Sequence, residues 1–476
     1  MTPSTLAAVA EVVGGTVAGT ATPDDVVVSG GASADSRSVP AGGLFVAVVG
    51  DRVDGHDYAE QAVAAGAVAC LAQRPVAVPH VLVDDTVTAL GLLARHQVDA
   101  LVADGMVVVG ITGSSGKTST KDLLAAVLEP LGPTVAPRGS YNTEVGVPVT
   151  ALDADSATRH LVIEMGARGV GHIAYLCGVT PPRIGVVLNV GAAHAGAFGS
   201  QEATARAKSE LVAALPADGV AVLNADDPLV AAMSDVTAAR VVRAGLADAA
   251  DVRAAHVSLD PLGRPTFELR AAGTAADVTL PLHGAHHVGN ALAAAAVALE
   301  LGATVDGVAA ALATATPRSR WRMEVTERPD GVTVVNDAYN ANPDSTAAAL
   351  AALAAMAAGR RSWAVLGEML ELGAASAAEH DAAGRLAVRS GVQRVDAVGE
   401  GAGPVHDGAL AEGAAEGEGT VAVPDDGSAL AQLRAEVRPG DDVLVKASRS
   451  SGQETLAEAL LADAPHRDRG EGVGTR

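Results

Sequence analysis

The sequence predicts an α/β protein of three domains, and three observations lead to this fold class. At about 100–200 residues per domain, a chain of 476 residues corresponds to about three domains. Apolar residues make up 49% of the chain and charged residues 19%, a composition typical of folded rather than disordered chains. Short β-branched runs alternate with Ala-rich segments almost throughout, which is typical of helices layered on largely parallel sheets.

The first predicted domain is an α/β unit that covers residues 1–103. Strands are predicted at 44–48, 67–72 and 80–83, where short apolar runs occur, and a helix is predicted over 85–101.

The second predicted domain, residues 104–316, opens with the apolar run 106–112, a glycine turn and a helix over 117–131. A buried strand that passes through a glycine turn into a helix is typical of the parallel sheet in phosphate-loop ATPases. The other elements predicted for this domain are strands at 161–164, 184–190 and within 251–282, and helices over 201–215, 286–300 and 305–315.

The third predicted domain, residues 317–463, alternates strands with Ala-rich helices and is expected to be Rossmann-like. Its strands are predicted at 332–336, 362–366, 394–398, 420–423 and 441–446. The Gly/Glu/Ala-rich stretch 399–419 is predicted to be a solvated loop. Residues 464–476 lack periodicity and are predicted to form a disordered tail.

Composition excludes several classes of function. The chain has 33 Lys and Arg against 56 Asp and Glu, and the net charge of −23 argues against nonspecific binding to nucleic acid or anionic membranes. No apolar run reaches the roughly 18–20 residues of a membrane span. No Lys or Arg precedes the N-terminal apolar stretch, so no signal peptide is predicted. Two cysteines cannot form a disulfide framework or a zinc site. We expect a soluble, cytoplasmic protein.

The strongest local motif is the glycine loop that follows the strand 106–112. Gly113 and Gly116 bracket two serines and are followed by Lys117 and Thr118, at the start of a helix. Backbone amides in such a loop bind phosphate, the lysine reaches the terminal phosphates and the threonine binds Mg²⁺. The common motif has four residues between its glycines, so this loop is a shortened variant. Nucleotide binding is the function it predicts.

Two further side chains stand at predicted strand ends. Glu164 ends the buried run 161–164, and a phosphate loop needs an acid on a neighbouring strand to hold Mg²⁺. His194 follows the strand 184–190 and could bind metal, contact phosphate or lie in solvent. Both residues are therefore candidates for the nucleotide site.

Several segments together resemble one family, the ATP-dependent Mur ligases of peptidoglycan synthesis. The shortened phosphate loop is the variant that these enzymes carry, and the resemblance extends in order over about residues 33–455. The segments that carry it are 35–37, 44–47, 54–57, 112–118, 194–200, 207–210, 224–227, 284–290, 337–345, 365–373 and 443–449. The sequence departs from the family pattern at Thr143, Gly196, His287 and Ala447.

The resemblance implies a reaction and its cofactors. ATP would phosphorylate a peptide carboxylate, and an amine would attack the acyl phosphate. Segment 337–345 implies that the amine is D-Ala-D-Ala and the acid UDP-MurNAc-tripeptide, so that UDP-MurNAc-pentapeptide is formed. Two Mg²⁺ ions would take part, held by Thr118, Glu164, His194 and Lys208, the last as a CO₂-derived carbamate.

The resemblance also implies roles for individual residues. Lys117, Lys208, His194 and Arg322 would be catalytic. ATP would be bound by Thr112, Gly113, Ser114, Ser115, Gly116, Lys117, Thr118, Ser119, His286, Asn290, Asp337 and Asn340. The UDP-linked substrate and the dipeptide would be bound by Ser36, Arg37, Asp54, Gly55, His56, Asn142, Lys446 and Arg449. Lys121 is predicted to be an exposed helical residue.

Three alternatives to this function stay open at the level of sequence. They are a Mur-type ligase with another amine acceptor, a kinase-like or switch NTPase that ligates nothing, and a catalytically silent carbohydrate-binding homologue. Lys208 and segment 337–345 have no role in the NTPase, and intact Lys117, Glu164 and His194 argue against the silent homologue. A monomer is expected.

Overall fold

The computed structural model describes residues 1–50, 52–137, 139–191 and 200–463. Within these residues, sheets of five, nine and six strands follow one another along the chain, and helices pack on them. The predicted α/β fold class is confirmed. The tail predicted for 464–476 lies outside the described residues.

The first sheet has the strand order β2-β7-β6-β5-β4, in which β4 to β7 are parallel and β2 is antiparallel to β7. A short antiparallel pair, β1 with β3, accompanies it. The strands are β1 Ser4–Thr5, β2 Thr16–Ala18, β3 Val27–Val28, β4 Ala32–Ser33, β5 Gly43–Val46, β6 Ala67–Ala72 and β7 His80–Leu82, and the helices are α1 Leu6–Val13, α2 Ala59–Ala65 and α3 Thr86–Ala103.

The central sheet has the order β16-β15-β14-β13-β12-β11-β8-β10-β9, parallel from β14 to β9 and antiparallel among β14, β15 and β16. Its strands are β8 Val107–Thr112, β9 Thr134–Val135, β10 His160–Glu164, β11 Ile184–Val187, β12 Val220–Asn224, β13 Arg240–Gly245, β14 Val252–Leu259, β15 Pro265–Ala271 and β16 Thr274–Thr279. Its helices are α4 Lys117–Leu128, α5 Gly146–Leu152, α6 His172–Val179, α7 Gln201–Ala213, α8 Pro228–Ala231, α9 His287–Glu300 and α10 Val305–Ala313.

The third sheet has the order β17-β18-β22-β19-β20-β21 and is parallel except for β17. Its strands are β17 Glu324–Glu327, β18 Thr333–Asn336, β19 Ser362–Leu366, β20 Arg394–Val398, β21 Thr420–Val423 and β22 Asp442–Lys446. Its helices are α11 Pro343–Ala357, α12 Ser376–Arg389, α13 Gly403–Ala411, α14 Asp426–Glu436 and α15 Glu454–Ala462. The domain boundaries predicted at 103/104 and 316/317 stay predictions.

Hydrophobic cores form on both faces of the central and third sheets. One core joins the first unit to one face of the central sheet, with Leu6, Leu90 and Ile163 all buried in it. A second core lies under α4 and α9 on the opposite face. Strands buried on both faces are continuous apolar runs in parallel sheets, which is why these strands could be located from sequence.

The prediction of a loop over 399–419 was wrong. A 3-10 turn at Glu400–Ala402 leads into α13 there, and α13 packs against α12. The glycines serve this packing: a Cβ on Gly384 would lie 1.9 Å from the Val405 carbonyl oxygen, and one on Gly408 would lie 2.0 Å from the Asp381 carbonyl oxygen. Small residues were therefore required by close contact between helices, rather than by a turn.

The order of the central strands fixes the location of the site. β8 lies between β10 and β11, so the chain leaves β8 first to one side and later to the other. Ligands of open parallel sheets bind at such a point, beyond the carboxyl ends of the strands. No helix among the described residues is both long and apolar enough to cross a membrane.

Candidate active site

The loop between β8 and α4 is held in shape by one asparagine. The amides of Ser114 and Ser115 both donate to Asn189 Oδ1 at 2.9 Å, and Asn189 Nδ2 donates to the Ser115 carbonyl at 3.2 Å. Gly116 begins the helix with φ +80°, and a Cβ there would lie 2.6 Å from Asn290 Oδ1. The loop therefore needs glycine both for its backbone angle and for close contact with α9.

Lys117 lies at the N-terminus of α4 and folds back over the loop. Its Nζ donates to the Gly113 carbonyl at 2.6 Å. Burial lowers the pKa of Lys117, the carboxylate of Glu164 opposes this shift, and the nearby Arg322 adds to it. A lysine and an arginine thus concentrate positive charge where the helix N-terminus also favours an anion.

Glu164 ends β10, which pairs in parallel with β8, and it is completely buried. Its Oε2 accepts hydrogen bonds from Ser140 Oγ at 3.0 Å and from Thr118 Oγ1 at 3.3 Å. Its Oε1 has no hydrogen-bond partner. A buried carboxylate oxygen without a donor, beside two hydroxyl groups, suits a hard cation such as Mg²⁺, which prefers oxygen ligands.

Lys208 projects from α7 and is only 2% exposed. Burial first, and the charge of Lys117 second, lower the pKa of Lys208 to about 7. Among the described residues it has no hydrogen-bond or ion-pair partner. Near pH 7 a large fraction of this side chain is therefore a neutral amine, which is the nucleophilic form.

Lys121 is not exposed, so that prediction was wrong. The side chain is 0% exposed, and its ammonium lies 3.0 Å from Asp122 Oδ1 and 3.9 Å from Glu164 Oε1. The cause is position on the helix: Lys121 follows Lys117 by one turn, so both point to the side on which the strand ends lie.

The third unit contributes an arginine directly to the phosphate loop. Arg322 donates to Thr118 Oγ1 at 3.2 Å, and its guanidinium carbon lies 4.1 Å from the centre of the Tyr339 ring. Asn342 Nδ2 lies 3.5 Å from the Ser114 carbonyl. The site is therefore built from the central sheet and from the segment that opens the third unit.

Lys446 and Asp337 form a buried ion pair at 2.5 Å, with Lys446 only 2% exposed. Lys446 also donates to the Asn340 carbonyl at 3.1 Å, and Asp337 Oδ1 accepts from the Met323 amide at 3.0 Å. Arg449 is exposed; it pairs with Glu454 and lies 4.5 Å from the centre of the Trp321 ring. Arg449 is thus the more accessible of the two basic groups predicted to bind substrate.

A cavity of about 590 Å³ joins these groups, a volume typical of a small-molecule site. The predicted residues that line it are Ser114, Ser115, Gly116, Lys117, Thr118, Ser119, Asn142, Lys208, His286, Asn290, Arg322, Asp337, Asn340, Lys446 and Arg449. Thr112, Gly113 and Glu164 lie behind this wall: Thr112 donates to the Met165 carbonyl at 2.9 Å. His194 lies outside the described residues.

The residues predicted in the first unit are not among the described residues that line this cavity. His56 Nε2 accepts from the Gln73 amide at 2.8 Å, so its Nδ1 carries the proton that is donated to Asp54 at 2.5 Å. That hydrogen bond lowers the pKa of Asp54 to about 2. Gly55 begins the same turn, Ser36 donates to Gln61 at 3.3 Å, and Arg37 pairs with Asp35 at 2.8 Å.

Several cavity residues were missed by sequence reasoning. Asn189 follows the predicted strand 184–190, and Ser140 precedes Asn142, but neither has a motif that identifies it. Tyr339 lies inside segment 337–345, and the scarcity of aromatic residues in this chain was a usable signal for it. Asn342 caps α11 through Ser345, which gives it a local structural reason as well.

Comparison with known proteins identifies the family. The sequence matches the catalytic domain of the Mur ligase family over residues 30–101, the Mur ligase middle domain over 111–298 and the Mur ligase glutamate ligase domain over 321–449. The chain belongs to the Mur ligase family and is an enzyme of the ligase class.

Within that family, the chain is similar to UDP-N-acetylmuramoyl-tripeptide–D-alanyl-D-alanine ligases. It is 53% identical to the enzyme of Mycobacterium tuberculosis strain H37Rv, over 96% of this chain and 98% of that protein. It is 38% identical to the enzyme of Escherichia coli K12, over 90% of this chain and 92% of that protein.

Solved structures agree. MurF from Acinetobacter baumannii has a TM-score of 0.83 and 29% identity, covering 97% of this chain and 99% of that one. MurF from Thermotoga maritima in complex with ADP has a TM-score of 0.76 and 30% identity, covering 92% and 98%. The predicted fold and family resemblance are both confirmed.

Proposed function

We propose that this enzyme uses ATP to join D-Ala-D-Ala to UDP-MurNAc-tripeptide, releasing UDP-MurNAc-pentapeptide, ADP and phosphate. The observation that carries the proposal is similarity over nearly the whole chain to ligases named for this reaction. The cavity supports it independently, because a phosphate loop meets Arg322 and Asn342 from the third unit in one space.

The reaction couples two bond exchanges. The γ-phosphoryl group passes from ATP to the terminal carboxylate of the tripeptide, and the amine of the dipeptide then attacks the acyl phosphate, forms the amide and expels phosphate. Protein groups act mainly by positioning and charge neutralisation. We assign phosphate binding to the loop amides, Lys117 and Arg322, and place adenine and ribose near His286, Asn290, Asp337 and Asn340, which line the cavity.

The polar groups around Glu164 fit Mg²⁺. Glu164 and Thr118 would hold one ion, with Ser140 and Asn142 nearby. We assign a second ion to His194 and to Lys208 in its carbamate form. Magnesium bound there would neutralise phosphate charge.

Lys208 can reach the carbamate form by a balanced step. The neutral amine attacks CO₂, a C–N bond forms and one proton leaves, which turns a cation into an anion. Arginine does not undergo this step readily, because its guanidinium stays protonated. The pKa of about 7 supports this assignment, since it supplies neutral amine at ordinary pH.

The remaining assignments concern substrate and setting. We place the UDP moiety on the first unit, near Ser36, Arg37, Asp54, Gly55 and His56, and the dipeptide or peptide carboxylate near Arg449. Lys446 would act on substrate through Asp337 and Asn340, which it already contacts. A monomer suffices, because one chain supplies the whole cavity wall. We assign the enzyme to the cytoplasm, where ATP is available.

Phosphate release tests the proposal. Release should require ATP, UDP-MurNAc-tripeptide and D-Ala-D-Ala together, and Lys117→Ala should lower it by at least about 100-fold because a charge that binds phosphate is lost. Release without the dipeptide would indicate an NTPase instead. Release with another amine but not with D-Ala-D-Ala would indicate a ligase with a different acceptor.

A further inference from the structure

Lys121 is a fully buried lysine to which the proposed reaction assigns no role. Lysine is almost never fully buried unless its charge is paired. Its ammonium donates to the carbonyls of Pro137 and Gly139, the latter at 3.0 Å, and to Ser319 Oγ at 3.1 Å. The carboxylate of Asp122 lies 3.0 Å away. One charge therefore holds three separate segments of the chain.

The first of these segments connects α10 to β17 and carries Arg322. Asp122, beside Lys121, accepts hydrogen bonds from the amides of Arg318 at 3.1 Å and Ser319 at 2.9 Å, and from Ser319 Oγ at 3.2 Å. Lys121 and Asp122 thus fix the connection three residues before Arg322 reaches Thr118. The position of that guanidinium depends on this attachment.

The second segment contains Pro137 and Gly139 and continues to Ser140. Ser140 Oγ donates to Glu164 Oε2 at 3.0 Å and accepts from Asn142 Nδ2 at 2.9 Å. Glu164 Oε1 itself lies 3.9 Å from Lys121 Nζ. The carbonyls held by Lys121 therefore set the place of the side chains around Glu164.

We infer that Lys121 is a positioning residue of the ligation reaction. It fixes Arg322 and the Ser140–Asn142 segment relative to the phosphate loop, without contacting substrate itself. This inference rests on the proposed function for its kinetic part. A compact ammonium with three N–H donors suits the role, because its acceptors lie in different directions around one point.

Lys121→Met tests the inference, because it keeps the aliphatic stem and removes the charge. We expect kcat for ligation to fall by about tenfold to 100-fold, since small misplacements of reacting groups have effects of this size. The KM for ATP should change by less than about threefold, because the loop amides and Lys117 remain. Amide hydrogen exchange over 139–142 and 317–322 should become at least about tenfold faster.

Glu129→Gln is the matched control. It removes an ion pair of Glu129 with Arg318, at 2.6 Å, which also attaches the connection to the end of α4 but is exposed. Exchange and kcat should stay near the wild-type values in this variant. If Lys121→Met does not fold, Ser319→Ala decides, because it removes the hydroxyl shared by Lys121 and Asp122 without stranding a charge.

Each outcome decides the inference. Faster exchange in both segments, together with reduced kcat at nearly constant KM, supports it. Unchanged exchange, or equal effects in Glu129→Gln, overturns it. Exchange is measured without substrates, so failure of the wild-type enzyme to ligate would refute the proposed function while leaving the structural part of this test intact.

Discussion

Replacing Lys208 by methionine should change how the stability of the enzyme depends on pH. The folded chain has a pKa of about 7 at Lys208, whereas the ordinary value of 10.5 applies when the chain is unfolded. Between these two pH values the unfolded state binds more protons than the folded state. The wild-type free energy of unfolding therefore rises with pH across this range, because of this one group.

The magnitude follows from the two pKa values. Their separation corresponds to about 5 kcal/mol over the full range, at about 1.4 kcal/mol for each pH unit. Between pH 6 and pH 9, about 2–3 kcal/mol of this should be realised. Methionine has no proton to bind, so the variant should lack this part of the slope. Other titrating groups largely cancel when the two proteins are compared.

Urea unfolding followed by circular dichroism measures the difference, in buffer free of CO₂ so that no carbamate forms. Wild type should gain about 2–3 kcal/mol on Lys208→Met between pH 6 and pH 9. Arg206→Met, on the exposed side of the same helix, should run parallel to wild type. Parallel curves for wild type and Lys208→Met would refute the lowered pKa. With ¹³C-bicarbonate, a carbamate resonance should occur in wild type and disappear in Lys208→Met.

Two further substitutions have effects that the structure predicts. Gly116→Ala should lower the free energy of unfolding by about 1–2 kcal/mol, because its backbone angle is left-handed and a buried side chain of α9 is in the way; Gly178→Ala, in open space on α6, should not destabilise, and equal urea midpoints for the two would contradict this. Asp337→Asn should cost about 3–5 kcal/mol, because it strands the buried charge of Lys446. Asp35→Asn, in an exposed pair, is its control, and a similarly small change in both midpoints would argue against the buried pair.

The fold was predictable where segments are apolar and continuous. The run 394–398 became β20, because strands buried on both faces need no polar alternation. Strands of two residues, such as β1 and β9, have too little length for a periodic signal. The glycines of α13 were misread since glycine marks a turn in sequence but can equally mark close helix packing.

The site was predictable where its chemistry is local. The phosphate loop lies in one short segment, so its residue types and spacing identify it without tertiary structure. Lys121 could not be assigned in the same way, because its acceptors at 137, 139 and 319 are distant in sequence. Asn189 is a similar case, as its partners lie more than 70 residues away.

The hydrogen bonds from Asn189 to the phosphate loop also bear on the energetics of nucleotide capture. Two successive amides already have an acceptor, so the empty loop bears no cost of unsatisfied donors and keeps one conformation. An arriving phosphate exchanges one acceptor for another instead of ordering a flexible segment. Affinity should therefore come from the difference between an anionic oxygen and an amide oxygen, with little entropy lost by the loop.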